Sequence, residues 1–108
     1  MFEMKQFYEQ AAAMADTLRA DRRALHGMPE LGMELPRTTA YVESRLREMG
    51  IEPTRLGGGI TACIGPEKGP VFLLRGDMDA LKMQEASDLE FAAQGECAHT
   101  CGHDLHTA

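Results

Sequence analysis

Apolar side chains recur at helical spacing in the first quarter of the chain. Successive intervals of four, three, four and seven residues place them on one face of a helix. They are Phe7, Ala11, Met14, Leu18 and Leu25. We therefore predict a helix over residues 2–26, which the Gly-Met-Pro sequence at residues 27–29 would end.

A second amphipathic stretch follows a loop that is rich in glycine and proline. Val42, Leu46 and Met49 form its apolar stripe, and a glycine comes directly after it as a natural C-terminal stop. This pattern predicts a helix that begins at residue 36 or 38 and ends at residue 49.

Two short apolar runs, at residues 60–64 and 71–74, flank a Gly/Pro-rich loop, which predicts two strands joined by that loop. The second run has no polar alternation and therefore suits a strand buried on both faces of an α/β layer. Two helices and one edge strand can cover only one of those faces. We accordingly expect an α/β fold with helices packed on a partial mixed sheet, and we expect part of the fold to lie elsewhere.

The 108 residues suffice for about one small domain, and their net charge of −6 is spread unevenly. Residues 1–56 hold 8 Lys and Arg against 9 Asp and Glu, whereas residues 57–108 hold 3 against 8. An acidic C-terminal half argues against a nucleic-acid or anionic-membrane partner, because phosphate groups need clustered cations. It fits a site that collects cations, but a solvated acidic face would show the same pattern.

The sequence carries no recognisable targeting or membrane signal. The first six residues lack a basic region followed by an apolar run, and no stretch approaches the roughly 18 apolar residues of a membrane span. Three cysteines, an odd number without a secretory signal, favour reduced thiols and a cytoplasmic location.

Residues 75–81 (Arg-Gly-Asp-Met-Asp-Ala-Leu) place two carboxylates directly after the second apolar run. The C-terminal ends of central strands are where α/β sheets usually hold their sites. Asp77 and Asp79 are two residues apart and would point the same way along an extended chain. The alternative is a polar turn in which Arg75 pairs with one of them.

Residues 99–106 (His-Thr-Cys-Gly-His-Asp-Leu-His) gather most of the side-chain types that bind transition metals. Cys101 and His103 flank a glycine, which leaves room for an ion between them. Asp104 or Asp79 could orient a ligand histidine from behind. The spacing is not that of a zinc finger, so a closed structural zinc site is not expected.

Other readings of these side chains stay open. His99 and His106 could be ordinary hydrogen-bonding histidines, and Cys101 could be a small buried residue or a nucleophile activated by histidine, the last being the weaker alternative. Cys63 and Cys97 have no identifiable partners, so we predict that both are structural.

Four segments, taken in order, resemble the amidohydrolase branch of the aminoacylase-type metallopeptidases, which includes hippurate hydrolases, N-acetyl-diaminopimelate deacetylases and auxin-conjugate hydrolases. Residues 22–32 resemble its opening Leu-His-x-x-Pro-Glu-Leu signature, and residues 38–52 its next helix. Residues 74–81 resemble its central strand and acidic turn, and residues 99–108 its metal-binding motif. The resemblance implies that residues 1–108 are the incomplete N-terminal portion of a zinc-exopeptidase-like catalytic domain, without the lid and dimerisation domain and without the C-terminal half.

The resemblance also implies a set of site residues. Cys101 would be a thiolate ligand and His103 an imidazole ligand of two divalent ions, either manganese, zinc or nickel. Asp79 would be a carboxylate that supports the metals. We expect Asp77, Asp104 and His106 to support the site as well.

The reaction that the resemblance implies is hydrolysis of N-acyl amino acids, in which a metal-activated water attacks the amide carbonyl and a glutamate accepts its proton. In the family that glutamate lies in a later Glu-Glu motif, so we expect this chain to be inactive alone. Lys82 stands where the family has proline, and Thr100 and Leu105 replace small residues. These departures concern substrate preference more than metal binding.

Two alternatives remain for the chain as a whole. It could be an independently folded or oligomeric metal-binding module, or it could be one half of a split amidohydrolase. An exposed sheet surface would in either case favour self-association, and we therefore expect a homo-oligomer formed through that surface.

Overall fold

The structure is a computed structural model that describes residues 3–108. Its helices and strands occur in the order α1 (Met4–Ala13), α2 (Ala15–His26), α3 (Pro36–Glu48), β1 (Thr54–Leu56), β2 (Gly59–Thr61) and α4 (His103–Thr107). The predicted helix start at residue 2 lies outside the described residues. No helix between residues 3 and 108 combines the length and the apolar character that a bilayer crossing requires.

The first predicted helix is interrupted at Met14, where φ and ψ of −89° and 0° leave the helical region. The prediction of one continuous helix is therefore wrong. Of its apolar stripe Leu25 is buried, whereas Phe7 and Met14 are each 48% exposed. Since α1 buries no residue, no tertiary packing forces it to continue the axis of α2.

The second predicted helix is confirmed by α3, which begins at Pro36. A proline at the first helical position costs nothing, because the missing N–H would have no partner there. The carboxylate of Glu30 accepts hydrogen bonds from the backbone N–H groups of Arg37 at 3.2 Å and Thr38 at 2.6 Å. Glu30 thus caps the helix from the preceding loop, with a negative charge at the positive end of the helix dipole.

The sheet consists of two short antiparallel strands, β1 and β2, joined through the turn at residues 57–58. A Cβ on Gly58 would lie 2.1 Å from the backbone oxygen of Met33, so this turn packs too closely on the loop before α3 for any side chain. The α/β class of the fold is confirmed, because helices and this sheet pack together in the described part of the chain.

The predicted strand at residues 71–74 forms no ladder with other described residues, so the prediction of a strand buried on both faces is wrong. Strand β2 pairs instead with residues 54–56, which precede it. Val71, Phe72, Leu73 and Leu74 are 92%, 88%, 91% and 95% exposed. Apolar side chains alone do not create a strand, because a ladder also needs a partner backbone within reach.

Helices α2 and α3 are joined by a polar contact. Asp21 accepts a hydrogen bond from the hydroxyl of Tyr41 at 2.6 Å and one from Nε of Arg45 at 2.9 Å. Burial and the hydrogen bond to Asp21 raise the pKa of Tyr41 to about 12. Asp21 therefore stabilises the protonated forms of Tyr41 and Arg45, which donate the two hydrogen bonds.

The feature that brings the predicted site residues together is a backbone bridge between Leu81 and Ala98. Each donates its N–H to the carbonyl of the other at 3.0 Å. The bridge sets residues 75–81 beside residues 98–104, and Ala98 is fully buried beneath them. The N–H of Ala80 also donates to the carbonyl of Glu30 at 2.7 Å, which ties the acidic turn to the loop that caps α3.

Candidate metal centre

The acidic turn and helix α4 approach each other closely. A Cβ on Gly76 would lie 3.1 Å from the carbonyl oxygen of His106, so the turn has little space for a larger residue at that position. Gly102 precedes α4 with φ of +86°, a conformation that glycine adopts without strain. The hydroxyl of Thr107 donates to the carbonyl of Asp77 at 2.8 Å. These contacts fix α4 against the carboxylates.

His103 is oriented by Asp79. Its Nδ1 lies 2.8 Å from the backbone oxygen of Asp79 and 3.0 Å from a carboxylate oxygen of the same residue. Both of these oxygens accept hydrogen bonds, so Nδ1 carries the proton. In the neutral ring Nε2 therefore presents its lone pair, as it does in histidines that bind a metal with a carboxylate behind them.

Asp77 lies between the two histidines of α4. One of its oxygens is 2.7 Å from Nδ1 of His106, and the other is 3.4 Å from Nε2 of His103. The two imidazole rings stack with their centroids 5.7 Å apart. Potential ligand atoms of Asp77, His103 and His106 all lie within 4.8 Å of one another. We call these three residues the α4 cluster.

The charges of the α4 cluster are coupled. The hydrogen bond from His106 lowers the pKa of Asp77 despite the opposing effect of burial. Burial works against protonation of His103, but the hydrogen bonds to Asp79 and the charge of Asp77 outweigh it and raise the pKa of His103. Asp77 is therefore an anion that attracts positive charge to the space between the rings.

A divalent cation fits this arrangement. With the proton on Nδ1, the lone pair of Nε2 in His103 faces a lone pair of Asp77 at 3.4 Å. Two facing lone pairs repel each other unless a proton or a metal ion lies between them. One carboxylate and two imidazoles are also donors that zinc and manganese accept.

Four of the residues expected to form or support the site come together: Asp77, Asp79, His103 and His106. The thiol of Cys101, expected to be a ligand, is exposed and is not part of the α4 cluster. Asp104 is 1% exposed and points toward α2, where it contacts His26. Within residues 3–108, Arg75 makes no ion pair with either Asp77 or Asp79, so the alternative of a paired polar turn loses its basis.

The remaining candidates lie outside the α4 cluster. Cys63 and Cys97 are free thiols, exposed and partly exposed respectively. His99 is buried, and neither of its ring nitrogens has a hydrogen-bond partner in the described part of the chain. Burial lowers the pKa of His99, which keeps this ring neutral.

One functional neighbourhood was missed by sequence reasoning. His26, a residue of the opening signature, lies between the carboxylates of Asp104 and Glu85, with ring nitrogens 2.8 Å and 2.7 Å from them. Arg22 adds a contact to Asp104 at 3.3 Å. The one signal in the sequence was the Leu-His pair itself, and it gave no indication of partners 78 and 59 residues away.

Several proteins of known activity contain a segment similar in sequence to this chain. No family model matches the chain. It is 45% identical over 91 residues to the N-acetyl-L-cysteine deacetylase of Bacillus subtilis, and 36% identical over 109 residues to the N-acyl-L-amino acid amidohydrolase of Geobacillus stearothermophilus. The matches cover 81% and 93% of this chain. The chain is a homologue of the aminoacylase-type amidohydrolases.

This amidohydrolase homologue also matches a solved structure in three dimensions. A dinuclear metal-binding peptidase of the M20 family from Bacillus subtilis superposes with a TM-score of 0.81 at 40% identity, over 89% of this chain and 28% of that one. The predicted resemblance to this family is thereby confirmed. This chain spans 22% of the length of the N-acetyl-L-cysteine deacetylase and 29% of the length of the N-acyl-L-amino acid amidohydrolase.

Proposed function

We propose that this chain supplies the first ligands of a metal centre in an amidohydrolase that cleaves N-acyl amino acids. The observation that carries the proposal is the convergence of Asp77, His103 and His106, with Nδ1 of His103 held by Asp79. The alignments with two relatives named for activity on N-acylated substrates cover 81% and 93% of this chain. Two divalent ions, of manganese, zinc or nickel, are the proposed cofactors.

Each residue has a distinct proposed role. His103 would bind an ion through Nε2, since Nδ1 is occupied, and Asp77 would contribute its carboxylate. Asp79 would keep His103 in the correct tautomer. Cys101, whose thiol is exposed, would add a thiolate, as the family resemblance implies, after the backbone around it adjusts. A bound divalent ion would activate water and polarise the amide carbonyl.

We further propose that the chain is the N-terminal portion of the catalytic domain and is inactive alone. The carboxylates that contact the two histidines of α4 within residues 3–108 are those of Asp77 and Asp79, and both already hold a histidine. Neither is free to accept the proton of an attacking water. A general base would therefore have to come from another segment.

Hydrolysis of hippurate and of N-acetyl amino acids by the purified chain, with manganese or zinc added, tests the proposal. We expect no turnover, but we expect saturable binding of Zn²⁺ that His103→Ala abolishes. Asp88→Ala, which removes an exposed side chain outside the α4 cluster, is the surface control and should leave Zn²⁺ binding unchanged. Metal-dependent turnover would contradict inactivity, and Zn²⁺ binding unaffected by His103→Ala would contradict the assigned centre.

The alternative of a split or self-associating protein is favoured by one specific observation. Residues 71–74 expose four consecutive apolar side chains, which a partner strand could cover. Turnover that appears when a polypeptide with the later family motifs is added would favour the split enzyme.

The three free cysteines support a cytoplasmic location for either form.

A further inference from the structure

A buried row of charged groups lies on the side of α4 that faces away from the α4 cluster. Asp104 contacts His26 with one oxygen at 2.8 Å from Nδ1, and Glu85 contacts Nε2 of the same ring at 2.7 Å. The side chains of His26 and Glu85 are each 6% exposed, and that of Asp104 is 1% exposed. The row connects α2, the loop at residues 85–93 and α4.

Each ring nitrogen of His26 lies at hydrogen-bond distance from a carboxylate oxygen, so both nitrogens have a partner. Glu85 is kept ionised by its own donors. The hydroxyl of Ser87 and the backbone N–H of Ala93, the latter at 2.9 Å, lower the pKa of Glu85. His26 thus has a single orientation, fixed from both sides.

Helix α4 needs an external contact of this kind. It contains five residues, little more than one turn, and such a short helix has almost no stability of its own. Its rotation about its axis decides where the rings of His103 and His106 point. Thr107 holds one side of the helix to the backbone of Asp77, and Asp104 holds the other side to His26.

We propose that His26 is a positioning residue for the metal centre: through Asp104 it fixes the rotation of α4 and so directs His103 and His106 toward Asp77. The inference rests on the proposed function, since it assumes that the α4 cluster binds the ion. It adds a residue outside the cluster, contributed by a different helix.

A purely stabilising role explains the row less well. Burying a charged pair costs desolvation energy, and apolar residues of similar volume often stabilise a protein equally or better. Hydrogen bonds constrain angles as well as distances, so a hydrogen-bonded row can fix the orientation of α4, which apolar packing would leave less well defined. Groups that hold metal ligands from behind typically change metal affinity about 10- to 100-fold when they are lost.

Two substitutions test separately the contacts of His26 with Asp104 and with Glu85. The amide nitrogen of asparagine lies near the position of Nδ1, so His26→Asn can still donate to Asp104. The amide nitrogen of glutamine lies near the position of Nε2, so His26→Gln can donate to Glu85 but not to Asp104. We expect His26→Gln to weaken Zn²⁺ binding about 10- to 100-fold and His26→Asn to weaken it much less.

The measurement is Zn²⁺ titration of the wild-type chain and both variants, with helix content followed by circular dichroism. A second readout needs no metal: nitrogen NMR of the histidine rings should show the Nδ1–H tautomer of His103 in wild type and His26→Asn, but a tautomer mixture in His26→Gln. Equal Zn²⁺ affinities and equal tautomers in the two variants would overturn the proposal.

The wild-type chain provides a test that survives misfolding of either variant. Coupling between two sites is reciprocal, so Zn²⁺ bound by α4 should stabilise the contact between Asp104 and His26. Exchange of the His26 ring proton with water requires that this contact open, and we therefore expect Zn²⁺ to slow it. Unchanged exchange at saturating Zn²⁺ would overturn the positioning role. If the wild-type chain binds no Zn²⁺, the proposed metal centre fails, and the tautomer of metal-free His103 still decides whether His26 positions α4.

Discussion

Asp79 contacts His103 with two different oxygens, its backbone carbonyl at 2.8 Å and its carboxylate at 3.0 Å from Nδ1. One residue therefore supplies both a rigid and an adjustable acceptor for the same proton. The carbonyl is held in place by the adjacent backbone bond from Ala80 to Glu30, whereas the carboxylate can rotate. The tautomer of His103 does not depend on the carboxylate alone.

Asp79→Ala should weaken Zn²⁺ binding about tenfold, the lower end of the usual range for groups behind a ligand, since the carbonyl contact survives. Isothermal titration calorimetry of the purified chain measures this. Asp88→Ala removes an exposed carboxylate of the same acidic half and should leave the affinity unchanged. Equal affinities for wild type and Asp79→Ala would show that the carboxylate does not support the ligand.

Glu30→Ala should lower the free energy of unfolding by about 1–2 kcal/mol, because two backbone N–H groups at the start of α3 lose their acceptor. Urea unfolding monitored by circular dichroism provides the comparison. Glu30→Gln keeps an acceptor oxygen without the charge and should lose less. An alanine variant as stable as wild type would mean that water replaces the carboxylate at no cost.

Tyr41 should make stability fall at alkaline pH. Its pKa is raised from 10 to about 12 in the folded chain, so folding favours the protonated form. The resulting stabilisation is fully present below pH 10 and is lost as the pH rises through about 12. Tyr41→Phe should be less stable at neutral pH but should lose less stability over this alkaline range. Parallel pH curves for the two proteins would contradict the assignment.

The exposed apolar segment at residues 71–74 should cause self-association. We expect the sedimentation coefficient of the wild-type chain to rise with concentration, and Phe72→Glu to suppress the rise by placing a charge on the contact surface. Ile64→Glu is the matched control, since Ile64 is apolar and 80% exposed but lies outside the segment. A wild-type chain that stays monomeric at all concentrations would exclude this role for the segment.

The elements that the sequence predicted well are those with local causes. Proline at the start of α3, its apolar stripe and the glycine after it all lie within the helix or next to it. The strand at residues 71–74 failed because the decisive factor was a partner backbone, which the apolar pattern of a segment cannot report. The interruption at Met14 likewise occurs without a helix-breaking residue, next to a helix that buries no side chain.

The candidate site shows the same contrast between features with local causes and features that depend on distant segments. The resemblance and the residue types pointed to Asp77, Asp79 and His103, and the structure brings these together. Which ring nitrogen of His103 is occupied depends on a backbone carbonyl, which no side-chain pattern reveals. The contacts of His26 were equally hidden, because its partners belong to distant segments.

The contact between His26 and Asp104 has a consequence for the order in which the molecule forms. The two residues are 78 positions apart, so during synthesis α2 emerges long before its partner. Until then α2 is a 12-residue helix of marginal stability, and the entropy of closing so long a loop remains to be overcome. We expect α4 and its ligands to dock last, so that the nascent chain captures metal only once the rest of the segment has folded.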